Sequence, residues 1–320
     1  MDAFEMGRRV AIAHDPRSRP PMRLGIDLGG TKIEGVVLDH AGAIIARHRI
    51  ASPRNDYSAT LTAISAVIAH LETATTPGLS IGIGMPGSLS PATGLVQNAN
   101  STWLNGRPLQ LDLETHLGRP VRLANDANCF ALSEATDGAA AGAACVYGVI
   151  LGTGCGGGIV FNSKLIDGPH GLGGEWGHTP LPWPSADELT IPPCWCGRCG
   201  CLETWISGSG LAADHARVTG HTLTGEEIAT AAASGSAPAQ ASLDRHAQRL
   251  ARGLAMIVNI LDPHVIVLGG GLSALPHLYA ALPALMAPYI FSDHPNPTIR
   301  PPRWGATSGV RGAAWLWESE

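Results

Sequence analysis

Positive charge is nowhere concentrated in this chain. Its 21 Lys and Arg are outnumbered by 26 Asp and Glu, for a formal net charge of −5, and no long basic run occurs. A surface built to hold nucleic acid or anionic lipid is thereby excluded, and small partners are expected instead. A run of about 18 uninterrupted strongly apolar residues, the length a membrane span needs, is also missing. The nearest candidate, Gly138 to Gly152, is mostly Ala and Gly. The first 21 residues mix Arg, Asp and Pro around one short apolar run, Val10-Ala11-Ile12-Ala13, too short for a secretory leader. They read as a loose extension of a cytoplasmic protein, with Met22, directly before the first strand, as an alternative start. Seven Cys are an odd number for a disulfide framework, and four of them crowd between Cys194 and Cys201. In a cytosolic-looking chain that crowding points to metal.

Apolar residues, by contrast, make up 45% of the 320, enough to bury a substantial core and to exclude disorder for most of the chain. At roughly 100 to 200 residues per domain, two lobes are expected. Leu24, Ile26 and Leu28 alternate with Gly25, Asp27 and Gly29 and run into a Gly-Gly-Thr turn, which predicts a strand and a hairpin. Strands over Gly35–Leu38 and Ile44–Ile50 complete a meander. Tyr57, Leu61, Ile64, Val67, Ile68 and Leu71 recur at helical spacing, and Ser80–Gly84 and Val121–Leu123 are further strands. The pattern then repeats: a strand over Val146–Leu151, a glycine turn over Gly152–Gly158, a returning strand over Ile159–Phe161. A late helix ends at Asp262-Pro263, and the strand Val265–Leu268 empties into Gly269, Gly270 and Gly271. The Ala- and Ser-rich stretch 231–242 is read as a helix connection within the second lobe.

Glycine lets backbone N–H groups approach an anion closely, so a glycine turn between strands can cradle a phosphate. Any one such turn is equally an ordinary tight hairpin. Three of them, one carrying Asp27, Thr31 and Lys32 and another Thr153, point to a nucleotide. No G-x-x-x-x-G-K-[ST] motif is present, and neither main turn fits the dinucleotide fingerprint G-x-G-x-x-G with its βαβ context, since both turns lie between antiparallel strands. Asn125-Asp126-Ala127-Asn128 follows an apolar strand, which places a carboxylate at a strand end. Asp126 there is either a base or the cap of a helix over Ala127–Ala135.

Asp27-Leu28-Gly29-Gly30-Thr31-Lys32 and Leu151-Gly152-Thr153-Gly154 resemble the two phosphate turns of sugar kinases with the actin-like ATPase fold. Within these, Gly174-Glu175-Trp176-Gly177-His178 and Cys194-x-Cys196-Gly197-x-x-Gly200-Cys201-x-Glu203 resemble the signature of the ROK family (repressors, open reading frames, kinases), a likeness that runs from Met22 to the end. The resemblance implies an α/β, two-lobed actin-like (ribonuclease H-like) fold with duplicated β-sheet lobes and a small zinc-binding loop. The expected division is an extension 1–21, a small lobe 22–128 to which a helix over 306–320 returns, and a large lobe 129–305 with the zinc loop at 178–203.

The likeness also implies site residues. Asp126 is expected as the general base, and ATP on Gly29, Gly30, Thr31 and Lys32, on Gly152, Thr153 and Gly154, and on Gly269, Gly270 and Gly271, with Asp27 near Mg²⁺. A hexose is expected against Gly87, Ser88, Asn100, Asn125, Glu175, His178 and Glu203. Structural Zn²⁺ is expected on His178, Cys194, Cys196 and Cys201. Spacing alone leaves a Cys₄ site using Cys199 open; the family likeness makes Cys199 the spare. The loop Asn98–Gly106, Glu175-Trp176-Gly177-His178 and the run Ser308–Trp317 look most like bacterial fructokinases of this family, so fructose, with mannose as a second substrate, is the expected acceptor. N-acetylglucosamine or glucose is the alternative. A sugar-responsive regulator or a non-catalytic sugar-binding module is the alternative of a different class. Against the first stand the short N-terminal extension and its Pro20-Pro21, and against the second Asp126 and both phosphate turns. A homodimer is the family expectation.

Overall fold

In the computed structural model, residues 22–189 and 192–318 are described; the extension 1–21 and the last two residues lie outside them. Three strands, β1 (Arg23–Leu28), β2 (Lys32–Leu38) and β3 (Ile44–Ala51), form the first antiparallel meander. Helix α1 (Tyr57–Ala74), capped by the Asp56 side chain on Ala59 N–H, leads into β4 (Ser80–Met85), which lies parallel to β1. A small hairpin of β5 (Ser88–Leu89) and β6 (Val96–Gln97) and helix α2 (Leu109–Leu117) precede β7 (Arg122–Asn125), parallel to β4. The sheet order is β3-β2-β1-β4-β7.

After α3 (Asp126–Thr136) the plan repeats. Strands β8 (Cys145–Leu151), β9 (Cys155–Phe161) and β10 (Lys164–Leu165) make the second meander. Helices α4 (Glu203–Ile206), α5 (Gly208–Thr219), α6 (Gly225–Ala233) and α7 (Ala237–Leu261) lead to β11 (Val265–Gly269), parallel to β8. Then come α8 (Pro276–Met286), β12 (Ile299–Arg300) and α9 (Ser308–Trp315). The order β10-β9-β8-β11-β12 matches the first sheet position for position. Among the described residues no helix is long and apolar enough to cross a membrane.

One sequence expectation changes. The second glycine turn is shorter than Gly152–Gly158, because Cys155–Gly158 already belongs to β9. The reason is packing. A Cβ on Gly156 would lie 2.9 Å from Ala127 Cβ, and one on Gly158 2.6 Å from the Ala127 carbonyl, so these glycines let α3 lie flush on the strands rather than forming the turn.

Helix α9 uses the same device on the first sheet and on α3. A Cβ on Gly25 would meet the Val310 carbonyl at 2.1 Å, one on Gly82 the Ala313 carbonyl at 1.8 Å, and one on Gly312 the Cys129 carbonyl at 1.6 Å. Glu134 of α3 locks the approach to α9, accepting hydrogen bonds from Arg303 N–H at 3.0 Å and Ser308 Oγ at 2.7 Å. The buried apolar cluster that results joins Val36, Phe130, Val146, Val267 and Val310, residues of both sheets and both helices. In the large lobe, Arg249 and Arg252 of α7 bond Glu188 at 2.7 and 2.8 Å. Burial opposes ionisation of Glu188, but these hydrogen bonds win and hold its carboxyl at about 2. That buried pairing fastens the segment between His178 and Cys194 to the lobe.

Candidate active site

Strands β4, β7 and β8 end at a cleft of about 840 Å³ between the two sheets, with Gly87, Asp126 and Gly152 just beyond them in its wall. Gly87, Asn100, Asn125, Asp126, Glu175, His178 and Glu203 all line it, together with the turn Gly152, Thr153 and Gly154. Ser88 lines a smaller adjoining cavity of about 240 Å³ instead.

Asp126 is not the cap of its helix. Asn125 is the cap, its Oδ1 accepting Ala127 N–H at 2.8 Å while its Nδ2 donates to the Gly87 carbonyl at 3.0 Å. That leaves Asp126 as the first residue of α3, open to the cleft on one side and crowded by protein on the others. Burial and then the neighbouring carboxylates Asp27 and Glu175 push its carboxyl up to about 6, against the pull of the Ala127 N–H. Burial likewise raises Asp27, opposed by Lys32, and raises Glu175, opposed by His178. A carboxylate poised near neutrality is suited to accept a proton from an alcohol at physiological pH.

The first glycine turn closes with Gly29 N–H on the Lys32 carbonyl at 2.9 Å, the second with Gly152 N–H on the Gly154 carbonyl at 3.0 Å. None of Gly29, Gly30, Gly152 and Gly154 has a positive φ; a Cβ would crowd a neighbour at Gly29, 3.1 Å from the Lys32 carbonyl, and at Gly154, 2.7 Å from Glu203 Oε2. Lys32 departs from expectation: its ammonium pairs with buried Glu34 at 3.1 Å, alongside Arg49 at 2.7 Å and Arg47. The third turn also differs. Gly269, Gly270 and Gly271 do not line the cleft, and neither do Asp27, Gly29, Gly30, Thr31 and Lys32 of the first turn; Gly270, at φ 79°, packs where a Cβ would sit 2.4 Å from the Leu151 carbonyl, behind the second turn.

At the large-lobe wall, His178, Cys194, Cys196 and Cys201 bring their ligand atoms within 4.8 Å of one another. His178 Nδ1 lies 3.6 Å from Cys194 Sγ, and Cys196 Sγ lies 3.6 Å from Cys201 Sγ. Thiolates at about 2.3 Å from a tetrahedral Zn²⁺ stand about 3.8 Å apart, so the donor set and its spacing fit that ion. Cys199 is exposed and outside the cluster.

Two residues between these cysteines line the cleft without having been singled out from the sequence, Trp195 and Arg198. Their position inside the metal-ligand spacing was the available signal. Glu203, the first residue of α4, is held from two sides: its Oε2 accepts Cys155 N–H at 2.8 Å and its Oε1 accepts Trp195 Nε1–H at 2.7 Å.

Residues 23–320 match the model of a protein family described as the ROK family. The N-acetyl-D-glucosamine kinase of Pasteurella multocida is 38% identical over 304 residues, 93% of this chain and 100% of that protein. That of Photobacterium profundum is 41% identical over 299 residues, 92% of this chain and 99% of its own. The crystal structure of a ROK hexokinase from Thermus thermophilus superposes with a TM-score of 0.80 at 33% identity, covering 92% of this chain and 96% of that one.

Proposed function

This chain belongs to the ROK family, and from that membership we propose that it is an ATP-dependent hexose kinase in which Asp126 takes the proton from the reacting sugar hydroxyl. The observation that carries the reading is Asp126 itself, a carboxylate raised to about 6 in a cleft lined by Asn100, Asn125, Glu175, His178 and Glu203, the amides and carboxylates that adjacent sugar hydroxyls can donate to and accept from. ATP supplies the phosphoryl group, with Mg²⁺ to offset its charge. The turns at Gly29–Thr31 and Gly152–Gly154 would hold the phosphates from opposite lobes, with Asp27 toward the metal. Glu175 and Glu203 would orient the sugar so that the chosen hydroxyl faces Asp126.

As acceptor we propose N-acetyl-D-glucosamine, since the two curated relatives carry that activity in their names. Fructose, the acceptor expected from the sequence, is the second reading, and it rests on the loop Asn98–Gly106. In that loop the Asn105 amide brackets Ala99, accepting its N–H and donating to its carbonyl, both at 2.9 Å, which sets Asn98 and Asn100 at the cleft. ADP release measured across a panel of hexoses is expected to give N-acetylglucosamine the highest kcat/KM, the quantity that defines specificity. Fructose in first place would favour the second reading, and no release with any hexose would defeat the kinase reading.

Zn²⁺ on His178, Cys194, Cys196 and Cys201 completes the proposal. Four protein ligands leave no position for substrate, so the ion would serve the loop's structure. Zinc content is expected to survive Cys199→Ser and to be lost with His178→Ala; the reverse result would remove His178 from the ligand set.

A further inference from the structure

Trp195 sits between two members of the cysteine cluster, yet it is 61% exposed, so it adds little to the buried core. Its ring meets His178 edge-on at 5.1 Å between centroids. Its indole N–H donates to Glu203 Oε1 at 2.7 Å. The other oxygen of that carboxylate is fastened to Cys155 N–H, and a Cβ on Gly154 would lie 2.7 Å from it, so Glu203 lies flat against the second glycine turn. One anchor fixes an oxygen; two fix the plane and rotation of the whole carboxylate.

We infer that Trp195 is a positioning residue for the sugar, holding the Glu203 carboxylate in the one orientation in which it faces the cleft and tying that orientation to the cysteine loop. The inference rests on the kinase reading, which places Glu203 against the sugar. A hydrogen bond to a charged group is stronger than one between neutral groups. Its loss would leave Glu203 free to turn on one anchor, and the sugar would bind to a mixture of orientations. The nucleotide turns and Asp126 keep their own supports, so ATP binding is unaffected, while misoriented sugar lowers kcat along with affinity.

Two variants separate the hydrogen bond from the ring. Trp195→Phe keeps an aromatic ring and removes the donor; Trp195→Gln removes the ring and keeps an N–H donor at similar reach. Calorimetry with the hexose that wild type binds best is expected to show at least a tenfold weaker Kd for Trp195→Phe and a change of no more than about threefold for Trp195→Gln. In both, KM for ATP and zinc content by elemental analysis should stay at wild-type values. Unchanged sugar affinity in Trp195→Phe, weaker binding in Trp195→Gln than in Trp195→Phe, or loss of zinc from Trp195→Phe would each overturn the assignment. If wild type binds no hexose at all, the kinase reading has failed first and takes this assignment with it.

Discussion

Asp126→Asn is expected to lower kcat by about 10²- to 10⁴-fold, the usual contribution of a positioned general base, while leaving the fold intact. Asparagine is nearly isosteric, and the cap of α3 belongs to Asn125, so helix and cleft keep their shape. The substitution therefore isolates the proton-accepting step. The pH profile gives a second readout with a defined sign. A base held at about 6 is protonated and idle below that pH, so kcat/KM should climb as pH rises through about 6 and level off above it. Asp27 adds to the raised value through its negative charge, so Asp27→Asn should move the acid limb of whatever activity remains toward lower pH. Near-wild-type turnover in Asp126→Asn would show that another group takes the proton.

A second large effect is expected far from any reacting atom. Gly312→Ala would place a methyl group 1.6 Å from the Cys129 carbonyl, a backbone atom, so no rotamer change can relieve the clash. Overpacking of this kind typically costs about 1–3 kcal/mol, and the absence of any flexible neighbour puts Gly312 at the upper end. Gly309, three residues earlier on α9, is the control, because a Cβ there meets nothing within 4 Å. Gly309→Ala should be neutral or stabilising by up to about 1 kcal/mol through helix propensity alone. Thermal unfolding of the two variants should thus shift in opposite directions, or for Gly309→Ala not at all. Gly312→Ala should also lower kcat, because Cys129 lies on the helix that begins with Asp126. A Gly312→Ala protein as stable as wild type would mean that α9 packs less tightly on α3 than the glycine contacts imply.

Local pattern carried most of the architecture. The alternation around Leu24, Ile26 and Leu28 and the glycine turn after it marked the first hairpin, and its recurrence at Val146–Leu151 marked the duplicated sheet, since strand and turn signals act over a few neighbouring residues. The site was legible in a different way. Glu175 and His178 share one short turn, and their proximity follows from spacing. The convergence of Asn100, Asp126 and Glu203 depends on two lobes meeting, which no local signal contains, and those residues were reached through a family likeness. What stayed hidden was pairwise and long-range. The glycines of Cys155–Phe161 looked like turn because their partner, α3, lies elsewhere in the chain. Lys32 looked free for phosphate because the three-cation cluster on Glu34 forms only when β3 folds beside β2. The Trp195–Glu203 bond was hidden too, since the indole's place inside the cysteine cluster signals nearness to the cleft but names no partner.

The contact of α9 with β1 and β4 joins residues 308–315 to residues 23–28 and 80–85. During synthesis, then, the small lobe is exposed for the whole time that the large lobe takes to leave the ribosome, with Gly25 and Gly82 forming a bare strip on its sheet. The cover that α9 gives this strip is tied to the end of translation rather than its beginning, and a chaperone that shields the strip would have its longest opportunity on the half-made chain.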